Sequence, residues 1–410
     1  MTTRQTTTHT AIVWLLASSI FINYIDRTNL AIAGPLVRSE LHLTASEFGW
    51  LSTAFFVTYA LCQLVSGALA DRLDVKWLLA GGFALWSLAT GVTGLLHTYT
   101  ALFIARLVLG AGESVAYPSY SRILSHHFTE ERRGWPNAVI GAGFSLGLAS
   151  GLFFGGMLVG RVGWRPFFVG LCALSLVWLI PWLRFMPPTP AHTASQSQGA
   201  PPFWEILGQR EFIGTAVSLF CANYFSYTLL TWLPTYLVEA RHFTMDQTAW
   251  TGGVTYIAVA LSSMAFGHIA DVRIKTGVST PSIRTTICAS GLTICAVSLL
   301  VVAWTTTPAW TVIFLIGGGV GFGIFSSNHW AVTQTLAGPL ASGRWTGMEN
   351  FTGNLAGMIA PAMVGIVVDR TGQYFAAFAL AAAITLIGAA TWAFVIRDVR
   401  EVSWRERGLG

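Results

Sequence analysis

Four ionisable residues stand in stretches that otherwise read as oil. Asp26 and Arg27 are adjacent in "INYIDRTNLA", and Arg106 and Glu113 bracket "RLVLGAGE". A charge at bilayer depth costs about 2.5–3.5 kcal/mol on insertion scales, so such residues face a partner or a water-filled cavity. Two are acidic and two basic, and the set can be neutral. One reading is structural: Asp26 with Arg106 and Glu113 with Arg27 as ion pairs joining two helices. The spacing also allows chemistry. Arg106 and Glu113 are seven residues apart, on one helical face and about 10.5 Å apart along the axis, which leaves room for a small anion. The side chains of Asp26 and Arg27 diverge by about 100°, so one can face a cavity and the other a neighbouring helix. The planar fork of Arg27 suits a carboxylate. Arg106 is expected to orient Asp26 or to make a second electrostatic contact. Asp26 and Glu113 are the expected proton carriers, since burial disfavours a carboxylate's charged form and a neighbouring Arg favours it. Protonating Glu113 would free Arg27 for an anion.

Only long apolar helices can hold such residues in place. Of 410 residues, 53% are hydrophobic and 10% charged, against about 25% charged in soluble domains; mean hydropathy is +0.60. Runs of about 20 apolar residues span a bilayer. They fall at 12–36, 47–70, 77–96, 100–124, 135–158, 164–185, 212–238, 248–270, 285–304, 310–335, 346–368 and 374–396. In lipid the backbone must satisfy itself, so these are helices. The expected fold is an all-α integral membrane protein of twelve transmembrane helices, with little room left in these residues for a soluble catalytic domain. The first run is too long for a signal-peptide core and reads as a retained helix.

With the N-terminus placed in the cytoplasm, sixteen of the 23 Lys and Arg residues fall at cytoplasmic ends, five on the other side and two within spans. That bias puts both termini inside. The basic residues are scattered over short loops, which argues against a nucleic-acid partner. The five cysteines all fall within spans, at no metal or disulfide spacing. His126, His127, Glu130 and Glu131 read as a solvated loop, and no metal site is expected. A Pro-, Ser- and Gln-rich segment, Met186 to Pro202, reads as an extended, mobile linker. It divides the chain into a bundle over 1–186, a linker loop over 187–205 and a second bundle over 206–410. "GALADRL" from Gly67 follows the second span and "GHIADVR" from Gly267 follows the eighth, which points to duplicated six-helix halves.

Two such halves and "GALADRLDVKW" resemble the major facilitator superfamily. Its Gly-x-x-x-Asp-Arg-x-Gly-x-Arg/Lys loop is matched at Gly67, Asp71, Arg72 and Lys76, and departs at Asp74, where Gly is usual. "NYIDRTNLAIAGP", "RLVLGAGESVAYPSY", "TWLPTYL" and "GNLAGMIAP" resemble the anion:cation symporter family, which includes bacterial sugar-acid carriers of the galactonate type and the animal sialin and vesicular glutamate carriers. The resemblance implies two pseudo-symmetric bundles that rock around a midplane site. It also implies proton-coupled symport of an organic monoanion such as a hexonate or hexuronate, with protons as coupling ion and no other cofactor. Asp26, Arg27, Arg106 and Glu113 match the galactonate-carrier pattern in type and spacing. The expected setting is a bacterial inner membrane, with a monomer as the working unit. Gly67, Asp71, Arg72 and Asp271 become gate residues.

By the same resemblance Tyr24, Tyr59, Ser327, Trp330 and Asn350 are expected substrate contacts, joined by Asn354 one turn beyond Asn350. Polar groups in membrane helices also often only bridge helices. His329 could sense pH or be a satisfied packing residue; the second is favoured, because two carboxylates already account for proton coupling. Glu349, Asp369 and Arg370 read as interfacial or gate charges. Gly141, Gly143, Gly147, Gly151 and Gly155 read as a close-packing face in the fifth span. The alternatives are an exchanger of organic anions, including aromatic acids or dicarboxylates, and a non-transporting sensor with a carrier fold. An organophosphate antiporter is disfavoured because the seventh span carries no Lys or Arg. No nucleophile–base pair, metal cluster or cofactor fingerprint supports an enzyme.

Overall fold

A computed structural model describes residues 3–128, 134–189, 201–396 and 399–404. Among these the chain is helical, with no strand. The helices are α1 (Thr3–Leu41), α2 (Ala45–Arg72), α3 (Val75–Thr93), α4 (Tyr99–Glu113), α5 (Ala116–His127), α6 (Gly134–Ser150), α7 (Gly156–Val162), α8 (Trp164–Phe185), α9 (Phe203–Leu207), α10 (Arg210–Glu239), α11 (Met245–Lys275), α12 (Thr280–Trp304), α13 (Pro308–Thr371) and α14 (Tyr374–Phe394). A π-helical turn, Gly151–Gly155, joins α6 to α7. Ten stretches in the described residues are long and apolar enough to cross a bilayer. The chain is a multi-pass membrane protein. α1, with Asn23, Asp26, Arg27, Thr28 and Asn29 inside it, and α2 bring the long helical stretches among the described residues to twelve.

Two compact units form. The first comprises Met1–Thr193, Leu229–Ile257 and Pro361–Tyr374; the second comprises Ala194–Thr228, Ala258–Ala360 and Phe375–Gly410.

In the first unit α2 packs on α4, α1 on α6, and α3 on α4 and α8. The seam between α1 and α6 is made by missing side chains. A Cβ on Gly147 would lie 2.6 Å from Phe21 O and 3.0 Å from Tyr24 Cβ, and one on Gly151 would collide with Thr28 Oγ1. Close backbone approach is what small residues allow in membrane helices. Here it fixes the stretch of α1 that carries Asp26 and Arg27, and the π turn begins at this level, beside Ile25 and Thr28. Gly141, expected on the same face, meets nothing within 4 Å.

The α1–α2 corner is closed by a capping box of Thr44 and Glu47, which satisfies two orphan donors. Asp369 adds to it, accepting from Ala45 N at 2.9 Å and Ser46 N at 2.7 Å. Arg38 and Glu239 are paired nearby. Asp74, where the family loop has Gly, caps α3: its Oδ1 accepts from Lys76 N at 2.9 Å and Thr189 N at 3.1 Å. The first residues of the expected mobile linker are thereby pinned, and Pro201 at its far end accepts from Arg344 Nη1 at 2.8 Å. Residues 190–200 lie outside the described residues, as do Glu130 and Glu131.

In the second unit, Phe325, Leu292, Trp345 and Trp392 anchor a core shared by α10, α12, α13 and α14. The tenth and eleventh spans were expected as separate helices. They form two spans, Pro308–Gly338 and Arg344–Thr371, within α13, parted at Gly338, whose φ of 62° is open to glycine. Carbonyls before the break are recovered by the C-terminal tail: Val402 N donates to Leu336 O at 2.9 Å and Trp404 Nε1 to Ala337 O at 3.1 Å. The seam yields a paired prediction: Gly147→Ala should lose roughly 1–3 kcal/mol through overpacking, read as a lower midpoint of thermal unfolding, while Gly141→Ala should lose nothing.

Candidate functional site

The expected fourth span crosses as Tyr99–Leu124, interrupted between α4 and α5. Pro118 has no N–H to give to Ser114 O, four residues earlier, which breaks the ladder there. The chain turns at Ser114 and Val115, and Ser114 Oγ bonds Ala111 O at 2.7 Å and Ser66 Oγ at 2.8 Å. Glu113 is therefore the last residue of α4. From α1, Arg27 Nε donates to Glu113 Oε2 at 2.9 Å, with side chains 6% and 0% exposed. The Arg27 guanidinium also lies over the rings of Tyr59, Tyr24 and Phe55, at 4.4, 4.7 and 5.3 Å from their centroids. Such cation–π contacts strengthen when desolvated.

Asp26 points elsewhere, as two adjacent helical residues must. Its Oδ1 accepts from Thr90 Oγ1 of α3 at 3.2 Å and from Asn29 Nδ2 at 3.4 Å. Its Oδ2 is buried without a hydrogen bond among the described residues. The expected Asp26–Arg106 pair is not formed. Arg106 is buried, donates from Nε to Leu51 O at 3.4 Å, and lies 4.9 Å from the Phe55 centroid. Arg27 and Arg106 nevertheless converge. Both line a cavity of about 20 Å³ with Ser52, Phe55, Phe56 and Thr231. That volume is close to one water, so a larger anion requires the walls to part.

Tyr24 and Tyr59 are both buried around Arg27. Tyr24 Oη bonds Tyr117 Oη at 3.0 Å, and Tyr59 Oη accepts from Gln63 Nε2 at 3.4 Å. Sequence reasoning missed Tyr117 and Thr90. Tyr117 lies four residues after Glu113, a same-face spacing that was available; Thr90 had no distinguishing signal.

In the second unit Ser327, Trp330 and Asn350 are half-buried. Ser327 Oγ donates to Ile324 O at 2.9 Å and accepts from Asn328 Nδ2 at 2.9 Å. Asn354 Oδ1 accepts from Tyr227 Oη at 3.0 Å, which is the bridging role rather than an open contact. Glu349 corrects an expectation. It is no interfacial charge: it is fully buried, its Oε1 lies 2.8 Å from His329 Nε2, and its Oε2 accepts from Thr333 Oγ1 at 2.9 Å. It lies in the span Arg344–Thr371, inside that helix rather than at its end. His329, expected as a packing residue, is fully buried against Glu349, and its Nδ1 has no hydrogen bond among the described residues. Of the expected gate residues, Gly67 meets nothing within 4 Å and Arg72 is exposed. Asp71 and Asp271 lie in α2 and α11, and their side chains lie outside the described residues.

If Asn354 bridges helices, Asn354→Ala and Tyr227→Phe should be non-additive. A double-mutant cycle on thermal unfolding should give a coupling of about 0.6 kcal/mol, typical of membrane hydrogen bonds.

Residues 16–361 match the family model of the Major Facilitator Superfamily. The chain is 27% identical over 398 residues to the hexuronate transporter of Bacillus subtilis, with 94% of each chain covered. It is 30% identical over 404 residues to a protein of Cupriavidus necator described as a probable sulfoacetate transporter, covering 94% of this chain and 93% of that one. Among solved structures, a bacterial homologue of the human lysosomal transporter Spinster, in an inward-facing and occupied conformation, superposes with a TM-score of 0.82 at 16% identity, covering 95% and 97%. An apolar helical chain with buried opposed charges, matched over most of its length by this family, belongs to the Major Facilitator Superfamily and is a membrane transporter rather than an enzyme.

Proposed function

We propose that this transporter is a proton-coupled symporter of an organic monoanion of the sugar-acid class, a hexuronate or hexonate, working by alternating access from a bacterial inner membrane with both termini cytoplasmic. The observation that carries the reading is the convergence of Arg27 and Arg106 on one cavity while Arg27 is held by Glu113. A buried carboxylate on the Arg27 guanidinium competes with a second carboxylate for its charge. Protonating Glu113 removes that competitor and leaves Arg27 charged, so proton and anion each lower the other's cost of entry. Asp26, with an oxygen lacking a partner, is the second proton carrier.

The hydroxyl-bearing part of the substrate falls to neutral groups. Tyr24 and Tyr59 flank Arg27 in the first unit; Ser327, Trp330 and Asn350 are the contacts proposed for the second unit by resemblance. A hexuronate carries hydroxyls for such partners, and the transporter of this class in Bacillus subtilis is similar over nearly its whole length. Sulfoacetate, named for the other relative, is a compact dianion without hydroxyls and has less use for them. One proton moving with a monoanion is electroneutral; two move one positive charge, worth about 2.3 kcal/mol per 100 mV.

Uptake into proteoliposomes tests this reading with hexuronates, hexonates, aldarates, sulfoacetate and aromatic acids, with and without an inward proton gradient. A gradient should drive accumulation of hexuronates or hexonates. Gradient-independent exchange would replace symport by antiport, and binding without flux would point to a sensor. Arg27→Ala should weaken binding by about 2–5 kcal/mol, the cost of losing one partner of a buried charge pair, thirtyfold or more in Kd. Glu113→Gln should keep binding and exchange while losing proton-driven accumulation. Native affinity in the Arg27 variant would contradict the carboxylate assignment.

A further inference from the structure

The second unit holds a buried ionisable pair that the mechanism above does not use. His329 and Glu349 lie on the two limbs of α13, on either side of the break at Gly338. Both side chains are 0% exposed, and Nε2 lies 2.8 Å from Oε1. The contact has the length of an ion pair without the alignment of a hydrogen bond, since neither atom has a hydrogen-bond partner by geometry. Thr333 Oγ1 holds the other Glu349 oxygen at 2.9 Å. Aromatic rings enclose the imidazole: Phe325 at 4.9 Å, Trp330 at 5.2 Å and Trp392 at 6.0 Å between centroids.

The surroundings offer little competition. Among the described residues neither group forms another ion pair. Leu219 of α10, Cys288 and Leu292 of α12, and Trp392 of α14 belong to the surrounding core. Cys288 is the ionisable member, its Sγ 3.8 Å from Phe325 O. The cation acting on Cys288 is Arg284, one turn earlier on α12.

We propose that His329 and Glu349 together form a further proton-binding site, one that carries a coupled proton of the transport cycle. The proposal rests on the symport reading above. Bare, the pair is neutral imidazole with carboxylate, net charge −1, which is expensive in an apolar enclosure. One proton on a ring nitrogen gives imidazolium with carboxylate, net charge zero, with only an N–H bond formed. The buried form is therefore the proton-loaded one, and hydration on either side of the membrane permits release. The position links this to substrate. His329 directly precedes Trp330, and Glu349 directly precedes Asn350; the pair ties together the two stretches that carry the proposed contacts of the second unit.

The test is a balance point, which depends on proton number and not on turnover or on the amount of active protein. The full chain is reconstituted with D-glucuronate or D-gluconate inside and outside, the membrane potential is clamped at zero, and a pH gradient is imposed. The concentration ratio at zero net flux is then measured. Each coupled proton multiplies that ratio by about tenfold per pH unit of gradient. His329→Gln/Glu349→Gln should balance at a ratio about tenfold lower per pH unit than the parent protein. The single Glu349→Gln variant, which keeps an acceptor for Thr333, should shift likewise and serves if the double variant does not reconstitute. Variants that balance at the parent ratio would overturn this site and leave the symport reading intact. A parent protein whose balance point ignores the gradient, or that moves neither anion, would overturn both.

Discussion

The Arg27–Glu113 ion pair is the interaction on which the rest depends. A buried pair is a poor source of stability, because desolvating two charges offsets most of their attraction. It is a good switch for the same reason. Removing one partner leaves the other charge stranded in a medium that cannot screen it, so any group able to replace that partner is strongly favoured. In the proposed mechanism a proton replaces Arg27 at Glu113 and an anion replaces Glu113 at Arg27. In that reading the two events are linked electrostatically, and the low dielectric sets the strength of the linkage. The aromatic floor of Tyr24, Phe55 and Tyr59 keeps the guanidinium attractively held while it changes partner.

Much of the first unit serves to present that pair. α1 must bring Arg27 within 2.9 Å of a carboxylate on another helix, and it is pressed there by α6 through positions that accept no side chain. The π turn follows at the level of Thr28, where such irregularities commonly accompany functional residues. On the partner side, Pro118 interrupts the α4–α5 rod and makes Glu113 a terminal residue. α1 sends Asp26 to α3 and Arg27 to α4, so two adjacent charges serve different neighbours instead of neutralising one another.

The sequence disclosed the class of fold through length and hydropathy, because a lipid-spanning helix must be long, apolar and self-satisfied. It disclosed the four charges of the first unit for the same reason: a charge inside such a stretch is conspicuous. It offered the Arg27–Glu113 pairing that forms and missed the other. The expected partner of Asp26 was Arg106, yet the carboxylate rests on Thr90, a residue with no mark in the sequence. The second unit was less legible still. His329 and Glu349 are twenty residues apart, with an apparent loop between them, and each alone looked incidental. Only the packing of the two limbs of α13 on either side of Gly338 brings them together. Asp74, an apparent departure from the family loop, proved to be a cap that also fixes Thr189.

The central claim is that anion binding at Arg27 is proton binding at Glu113 seen from the other side. The direct measurement is calorimetric titration of the purified chain with D-glucuronate in buffers of different ionisation enthalpy. The account requires net proton uptake on binding, so the observed heat must vary with the buffer, and affinity must fall as pH rises. A binding enthalpy that ignores the buffer, with an affinity flat in pH, would mean that Arg27 receives the anion without displacing Glu113, and would contradict the account.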